Sequence, residues 1–173
     1  MEIIPGEKLV HPPLDQPPLL LRVGFLVGEF SGQGEYATAK QRFRKETIGT
    51  WEAGGQFLFH RVRVTYILKN GLLDVHEACI VVGMDASGVN LEARAYTDNG
   101  QAFDYKITVS GEELSFPDRP PGHSSSSRSQ QGRARKILCP IDGGYYERLE
   151  VYSAGSLKYV PYSKVAYTRN NRA

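Results

Sequence analysis

Short turn-forming segments interrupt this sequence at regular intervals, and their spacing limits the possible folds more than any other feature. Asn-Gly pairs occur at 70–71 and 99–100, each between two runs rich in β-branched and aromatic residues. The first pair separates 57–68 from 72–82. An Asn-Gly pair in this setting predicts a β-hairpin, because the tightest hairpin turns require a positive φ at both central residues. The pattern therefore indicates antiparallel pairing of strands that are neighbours in sequence.

Further glycine-containing turns bring the expected number of strands to about ten, at the spacing typical of an all-β sandwich or barrel. No stretch shows helical periodicity over the length that a βαβ unit needs. The predicted strands are 28–37, 41–51, 56–68, 72–84, 89–97, 101–109, 112–117, 132–139, 144–153 and 156–168.

A meander of this length leaves two exposed edges unless the sheet closes on itself. The predicted fold class is therefore all-β, a single antiparallel up-and-down β-barrel wide enough for one small ligand. Two packed sheets are the alternative.

The segments outside the strands divide the chain further. Five prolines between positions 5 and 18 predict an extended leader over 1–18. The apolar residues that follow predict one or two helical turns that cap one end of a barrel spanning 19–169. Segment 118–131 is rich in proline, glycine and serine, which predicts a flexible loop, either a lid or a passive surface loop. Residues 170–173 form a short tail.

Composition excludes several classes of function. The formal net charge of +2 is too small to indicate a nucleic acid or a membrane surface as a partner. No apolar run reaches the roughly 18 residues of a transmembrane helix. The first ten residues lack the apolar core of a secretory signal, so we expect a cytoplasmic protein in which Cys79 and Cys139 are reduced.

The sequence lacks the motifs of phosphate transfer, zinc hydrolysis and serine hydrolysis. We therefore expect no metal and no cofactor. A homodimer remains an open alternative to a monomer.

The first hairpin predicts which side chains line the interior. A two-residue turn at 70–71 pairs Leu68 with Leu73, and alternation then separates two faces. The face that we expect to point inward is mainly apolar and contains His60, Val62, Val64, Tyr66, Val75, Glu77, Cys79 and Val81.

Three polar side chains on that face are the candidate catalytic residues, His60, Tyr66 and Glu77. They provide an acid/base pair and a hydroxyl group if they converge on a ligand. The alternative is a buried cluster that satisfies its own hydrogen bonds. The candidate ligand-binding residues are Val62, Val64, Val75, Tyr105, Tyr145 and Tyr159.

Arginines recur at alternate positions, at 42 and 44, 61 and 63, and 133 and 135. Inward-facing arginines would bind a carboxylate through two hydrogen bonds. The alternative is a solvated outer face with cross-strand ion pairs.

Short motifs at both ends of the predicted barrel resemble those of a known group. Segment 26–34 (LVGEFSGQG) resembles the first strand of lipocalin-like barrels, with Phe30 where a tryptophan is usual. Segments 54–58 (GGQFL), 75–77 (VHE) and 143–147 (GGYYE) resemble bacterial members of the same group. The resemblance implies a calycin β-barrel over about residues 25 to 169.

The chain is also similar to nitrobindin-type haem barrels and, more distantly, to fatty-acid-binding barrels. Nitrobindins place a haem-binding histidine near their C-terminal strands, whereas this chain has no histidine after His123. That departure argues against haem.

Two functions follow from a barrel with a mainly apolar interior. The first is the binding of a small hydrophobic or aromatic molecule by a carrier or sensor. The second is a cyclase or isomerase that holds a hydrophobic substrate in a reactive conformation, with His60, Tyr66 and Glu77 as its polar groups.

Overall fold

The computed structural model describes residues 16–37, 41–117, 134–153 and 155–170. In this part of the chain ten antiparallel strands form one closed barrel, in which consecutive strands pair and the last strand pairs with the first. This confirms the predicted all-β up-and-down barrel, and two separate sheets do not form. The strands are β1 (Gly28–Tyr36), β2 (Arg42–Glu52), β3 (Phe57–Ile67), β4 (Leu73–Met84), β5 (Leu91–Thr97), β6 (Ala102–Ser110), β7 (Glu113–Pro117), β8 (Ala134–Ile141), β9 (Gly144–Ser153) and β10 (Lys158–Arg169).

A short helix precedes the barrel, as the apolar segment after the prolines predicts. Helix α1 (Pro18–Leu21) begins with proline, whose fixed φ suits the first helical turn, and a 3₁₀ turn follows at Gly24–Leu26. Leu20, Val23 and Leu26 are buried because their spacing of three places them on one face.

This N-terminal segment lies across one mouth of the barrel. The side chain of Gln16 donates a hydrogen bond to the carbonyl of Gly55, before β3. The Arg22 guanidinium donates to the carbonyl of Gly111, in the turn between β6 and β7. The two contacts anchor the segment at both sides of the mouth, which it therefore caps.

Several predicted segments lie outside the described residues. They are the leader over 1–15, the whole loop 118–131 and the end of the tail, 171–173. The predictions for them stay predictions.

The register of the first hairpin differs from the predicted one by one residue. The Leu68 N–H donates to the carbonyl of Leu72, so the loop contains three residues, 69–71, rather than two. Only Gly71 of the Asn-Gly pair has a positive φ, 79°. A three-residue loop with glycine in the left-handed region is the next most common hairpin turn after the two-residue form.

That single residue reverses the predicted orientation of β4. His60 pairs with Ile80 rather than with Val81, and Val64 pairs with His76 rather than with Glu77. Because side chains alternate along a strand, the predicted inward positions of β4 point outward. These residues are Val75, Glu77, Cys79 and Val81. The β3 residues of the predicted inner face, His60, Val62, Val64 and Tyr66, do point inward.

A bulge in β10 also changes the orientation of one predicted residue. The pairing with β9 shifts between Pro161 and Ser163, which leaves Tyr162 as an extra residue. Tyr159, upstream of the bulge, pairs with Tyr152, and its ring lies under the outward-facing Arg135 guanidinium at 4.2 Å. The expected inward position of Tyr159 is therefore wrong.

The described arginines of the alternating pattern lie on the outer surface. Arg44 pairs with Glu46 at 2.9 Å, and Arg63 lies 3.7 Å from Glu77. The solvated-face interpretation holds for these pairs.

The glycines of β1 allow close packing of the barrel wall. A Cβ at Gly32 would collide with the carbonyl oxygen of Ala166 and a methyl group of Val165 on β10. A Cβ at Gly34 would collide with the buried ring of Phe43. The glycines of the motif in 26–34 are therefore required by sterics.

We expect Gly32→Ala to lower the free energy of unfolding by about 1–3 kcal/mol, because the obstructing carbonyl belongs to a paired strand and cannot move freely. Urea unfolding measures the change. Gly155→Ala is the matched control, since a Cβ there has open space around it. Equal unfolding midpoints for the two variants would contradict this explanation.

Candidate functional site

A buried ion pair crosses the barrel interior. Lys45 on β2 contacts the Glu147 carboxylate on β9, and their side chains are only 12% and 5% exposed. Glu147 also accepts a hydrogen bond of 3.1 Å from the Tyr167 hydroxyl. Charged groups in this position need partners, because desolvation of an unpaired charge costs several kcal/mol.

The electrostatics of Glu147 follow from these contacts. Burial by itself raises the pKa of Glu147, but the nearby Lys45 and Lys136 ammonium groups and the hydrogen bonds to the carboxylate outweigh it. The pKa of Glu147 falls to about 2. Glu147 is therefore ionised at neutral pH.

A chain of hydroxyl and imidazole groups lies beside the ion pair. The Tyr145 hydroxyl is 2.8 Å from Thr47 Oγ1 and 3.4 Å from His60 Nε2. The Tyr145 ring stacks on Tyr167, with ring centres 4.3 Å apart. Burial raises the pKa of both tyrosines, which stay protonated as hydrogen-bond donors.

His60 is held in its neutral form. Burial, reinforced by the positive charge of Lys136, lowers the pKa of His60 to about 3. Its side chain is almost fully buried on the inner face of β3. At neutral pH the imidazole can donate or accept a hydrogen bond without bringing a charge into the interior.

Lys136 on β8 is the second amino group of the interior. It is partly buried, and its side chain makes no hydrogen bond or close ion pair with another residue in the described part of the chain. The Glu147 carboxylate forms its ion pair with Lys45 instead. The inner wall therefore has two ammonium positions and one carboxylate.

The polar residues border a partly enclosed cavity of about 210 Å³ between β3 and β9. Its other walls are apolar, and Leu26 of the N-terminal cap closes one side. The volume lies below the range of roughly 300–1,000 Å³ typical of pockets for drug-sized ligands. The lining residues include His60, Ile80, Ala95, Phe103, Tyr105, Phe116, Lys136, Leu138 and Glu147.

The three candidate catalytic residues do not converge. His60 borders the cavity. The Tyr66 hydroxyl instead forms a hydrogen bond of 2.9 Å with the Tyr36 hydroxyl, in an aromatic cluster with Phe43. Glu77 lies outside the barrel, with 64% of its side chain exposed. The one-residue shift in the β3–β4 register accounts for Glu77, whereas Tyr66 lies six residues from His60 along β3 and belongs to a different cluster.

The candidate ligand-binding residues separate in the same way. Tyr105 borders the cavity, and Tyr145 is buried among the interior polar groups. Val62 and Val64 are on the inner face of β3, whereas Val75 and Tyr159 are on the outer surface.

Sequence reasoning missed Lys45, Thr47, Lys136 and Glu147. Alternation along β9 indicates one of them. Glu147 lies two residues from Tyr145 and two from Leu149, so all three side chains share one face of the strand. A charged residue on the same face as large apolar residues indicates a charge that points inward.

A second depression, of about 690 Å³, runs along β1–β5 and is open to solvent. It is lined by charged side chains of the outer surface such as Arg61, Arg63 and Glu77. The interior cavity is the better candidate site, because its polar groups are enclosed and next to apolar walls.

In the described part of the chain, no helix has the length and apolar character needed to cross a membrane. Among the same residues, no group of three or more histidine, cysteine, aspartate or glutamate side chains is arranged to hold a metal ion.

The fold and the interior together define the class of this protein, a closed ten-stranded antiparallel β-barrel that could hold a ligand. The architecture is consistent with a calycin-like fold. The sequence matches none of the family models with which it was compared, and none of the curated proteins.

Proposed function

We propose that this protein binds a small, mainly apolar molecule inside the barrel. The observation that supports this function is the partly enclosed cavity of about 210 Å³, with apolar walls on most sides and His60, Lys136 and Glu147 on one side. Cavities of this composition bind through apolar contact, while a few polar groups orient the ligand.

The size of the cavity suggests the size of the ligand. A single aromatic ring or a short chain with one polar substituent suits this volume, whereas a long fatty acid does not. The ring or chain would pack against Ile80, Ala95 and Phe116, and the polar substituent would face Lys136 and His60.

The cyclase or isomerase alternative requires acid/base catalysis by Glu77 beside His60 and Tyr66. Because Glu77 is exposed on the outer surface, these three residues cannot contact the same ligand. Binding is therefore the function that we propose.

The test is the binding of benzyl alcohol, measured by ligand-observed NMR titration. We expect Ala95→Leu to raise the Kd at least about tenfold, equivalent to 1.4 kcal/mol, because the added side chain fills the cavity next to Phe103. Ala102→Leu is the matched control on the neighbouring strand, since Ala102 is exposed on the outer surface and should leave the Kd unchanged.

Either of two results would overturn the proposal. One is the absence of measurable binding to the unmodified protein at millimolar benzyl alcohol. The other is an equal Kd for the Ala95→Leu and Ala102→Leu variants, which would place the ligand outside the cavity.

A further inference from the structure

Lys136 has a setting that the binding function alone does not require. Its side chain borders the cavity beside apolar residues such as Phe116 and Leu138. Unlike Lys45, it makes no hydrogen bond or close ion pair within the described part of the chain. Its amino group is therefore available to a molecule in the cavity.

Burial favours the neutral, nucleophilic form of this amine. Burial lowers the pKa of Lys136; attraction to Glu147 opposes that shift, and repulsion by Lys45 adds to it. The net effect is a lowered pKa of Lys136. Neighbouring His60 is neutral and adds no charge at physiological pH. A desolvated lysine beside a second cation is a known arrangement for activating an amine toward carbonyl compounds.

We propose that Lys136 Nζ forms a reversible imine with a small apolar aldehyde or ketone that enters the cavity. This inference rests on the proposed function, since it assigns a substrate class to the same cavity. It adds a covalent bond at one named atom.

The step balances without a further reactant. The ammonium group first loses a proton to solvent, and the nitrogen lone pair then attacks the carbonyl carbon while the C=O π electrons move to oxygen. Oxygen takes up protons and leaves as water, and the nitrogen–carbon double bond forms. The net reaction converts one ammonium and one carbonyl group into one protonated imine and one water, so the charge is conserved.

The interior suits the product as well as the reactant. The protonated imine keeps the positive charge of Lys136, and the ionised Glu147 carboxylate attracts it. The apolar walls surround the organic part of the adduct and reduce the access of water that would hydrolyse it. These features favour a carbonyl compound with an aromatic ring or a short alkyl chain.

The experiment treats the full chain with benzaldehyde and sodium cyanoborohydride at neutral pH, where the reductant traps an imine as a stable benzylamine. Peptide mapping by mass spectrometry then gives the rate of modification of each lysine. We expect Lys136 to react at least about tenfold faster than exposed Lys158, because its lowered pKa increases the free amine at neutral pH and the cavity holds the aldehyde beside it.

Two variants separate the proposed chemistry from ordinary lysine labelling. Lys136→Arg keeps the positive charge but cannot form an imine, so the fast adduct should disappear while the folded barrel remains. Lys45→Met leaves the Glu147 carboxylate free to pair with Lys136, and we expect it to slow modification of Lys136 at least about tenfold by raising its pKa.

Benzyl alcohol distinguishes the two proposals, because it fits the same space but has no carbonyl group. If it binds in the cavity and Lys136 reacts no faster than Lys158, the imine proposal is wrong and the binding function stands. If it does not bind and Lys136 is not modified preferentially, both are wrong. Protection of Lys136 by benzyl alcohol supports both.

Discussion

Replacing Glu147 with glutamine is expected to lower the free energy of unfolding by about 3–5 kcal/mol, the usual effect of breaking a buried ion pair from one side. The Lys45 and Lys136 ammonium groups then lose the carboxylate that attracts both of them. Urea unfolding at neutral pH measures this loss. It should be the largest effect of any single polar substitution proposed for this chain.

Two comparisons show whether the pair causes the loss. The double variant Glu147→Gln with Lys45→Met should recover part of the stability, because it removes one of the two positive charges that the single variant leaves without a carboxylate. The control Glu46→Gln removes a carboxylate from an exposed pair with Arg44, and we expect a change of at most about 1 kcal/mol. A Glu147→Gln variant as stable as Glu46→Gln would refute the buried-charge account.

Acid is expected to destabilise the barrel at a higher pH than the one at which Glu147 begins to contribute. The pKa of His60 is about 3 in the folded protein and 6.5 without the barrel environment, so the unfolded chain binds a proton first as the pH falls. Stability from the neutral imidazole is complete above about pH 6.5 and is lost progressively toward pH 3. Glu147 adds a similar loss only below its ordinary pKa of 4.5.

In the range from pH 6.5 to pH 5 His60 contributes before Glu147 does. We expect the free energy of unfolding to fall there with a slope that approaches about 1.4 kcal/mol per pH unit. His60→Gln should flatten the dependence, whereas His76→Gln should preserve it, since 54% of the His76 side chain is exposed. Equal slopes in the original protein and in His60→Gln would show that another group controls the acid response.

The sequence predicted the elements of the barrel closely because strands and turns are specified by neighbouring residues. The expected strand 72–84 corresponds to β4 (Leu73–Met84), and 144–153 corresponds to β9 (Gly144–Ser153). The helical cap at Pro18–Leu21 follows from proline and leucine positions in the same way. None of these features depends on a distant part of the chain.

The candidate site was predicted less well, since its residues come from strands far apart in sequence. Lys45 and Glu147 are 102 residues apart, and no local pattern connects them. Alternation in β3 predicts that His60 points inward, whereas Glu77 belongs to the same wall only if the turn contains two residues. One extra loop residue at 69–71 moved Glu77 to the outer surface.

The sequence by itself thus determined an all-β chain of about ten antiparallel strands, since turn residues and strand patterns act over a few residues. Only the tertiary structure decided which charged side chains share the interior. Closure of β1 against β10 and the loop length at 69–71 set the register around the barrel, and a shift of one residue exchanges inner and outer side chains. For this reason the interior contains Glu147 with two lysines, rather than the Glu77 that alternation alone indicated.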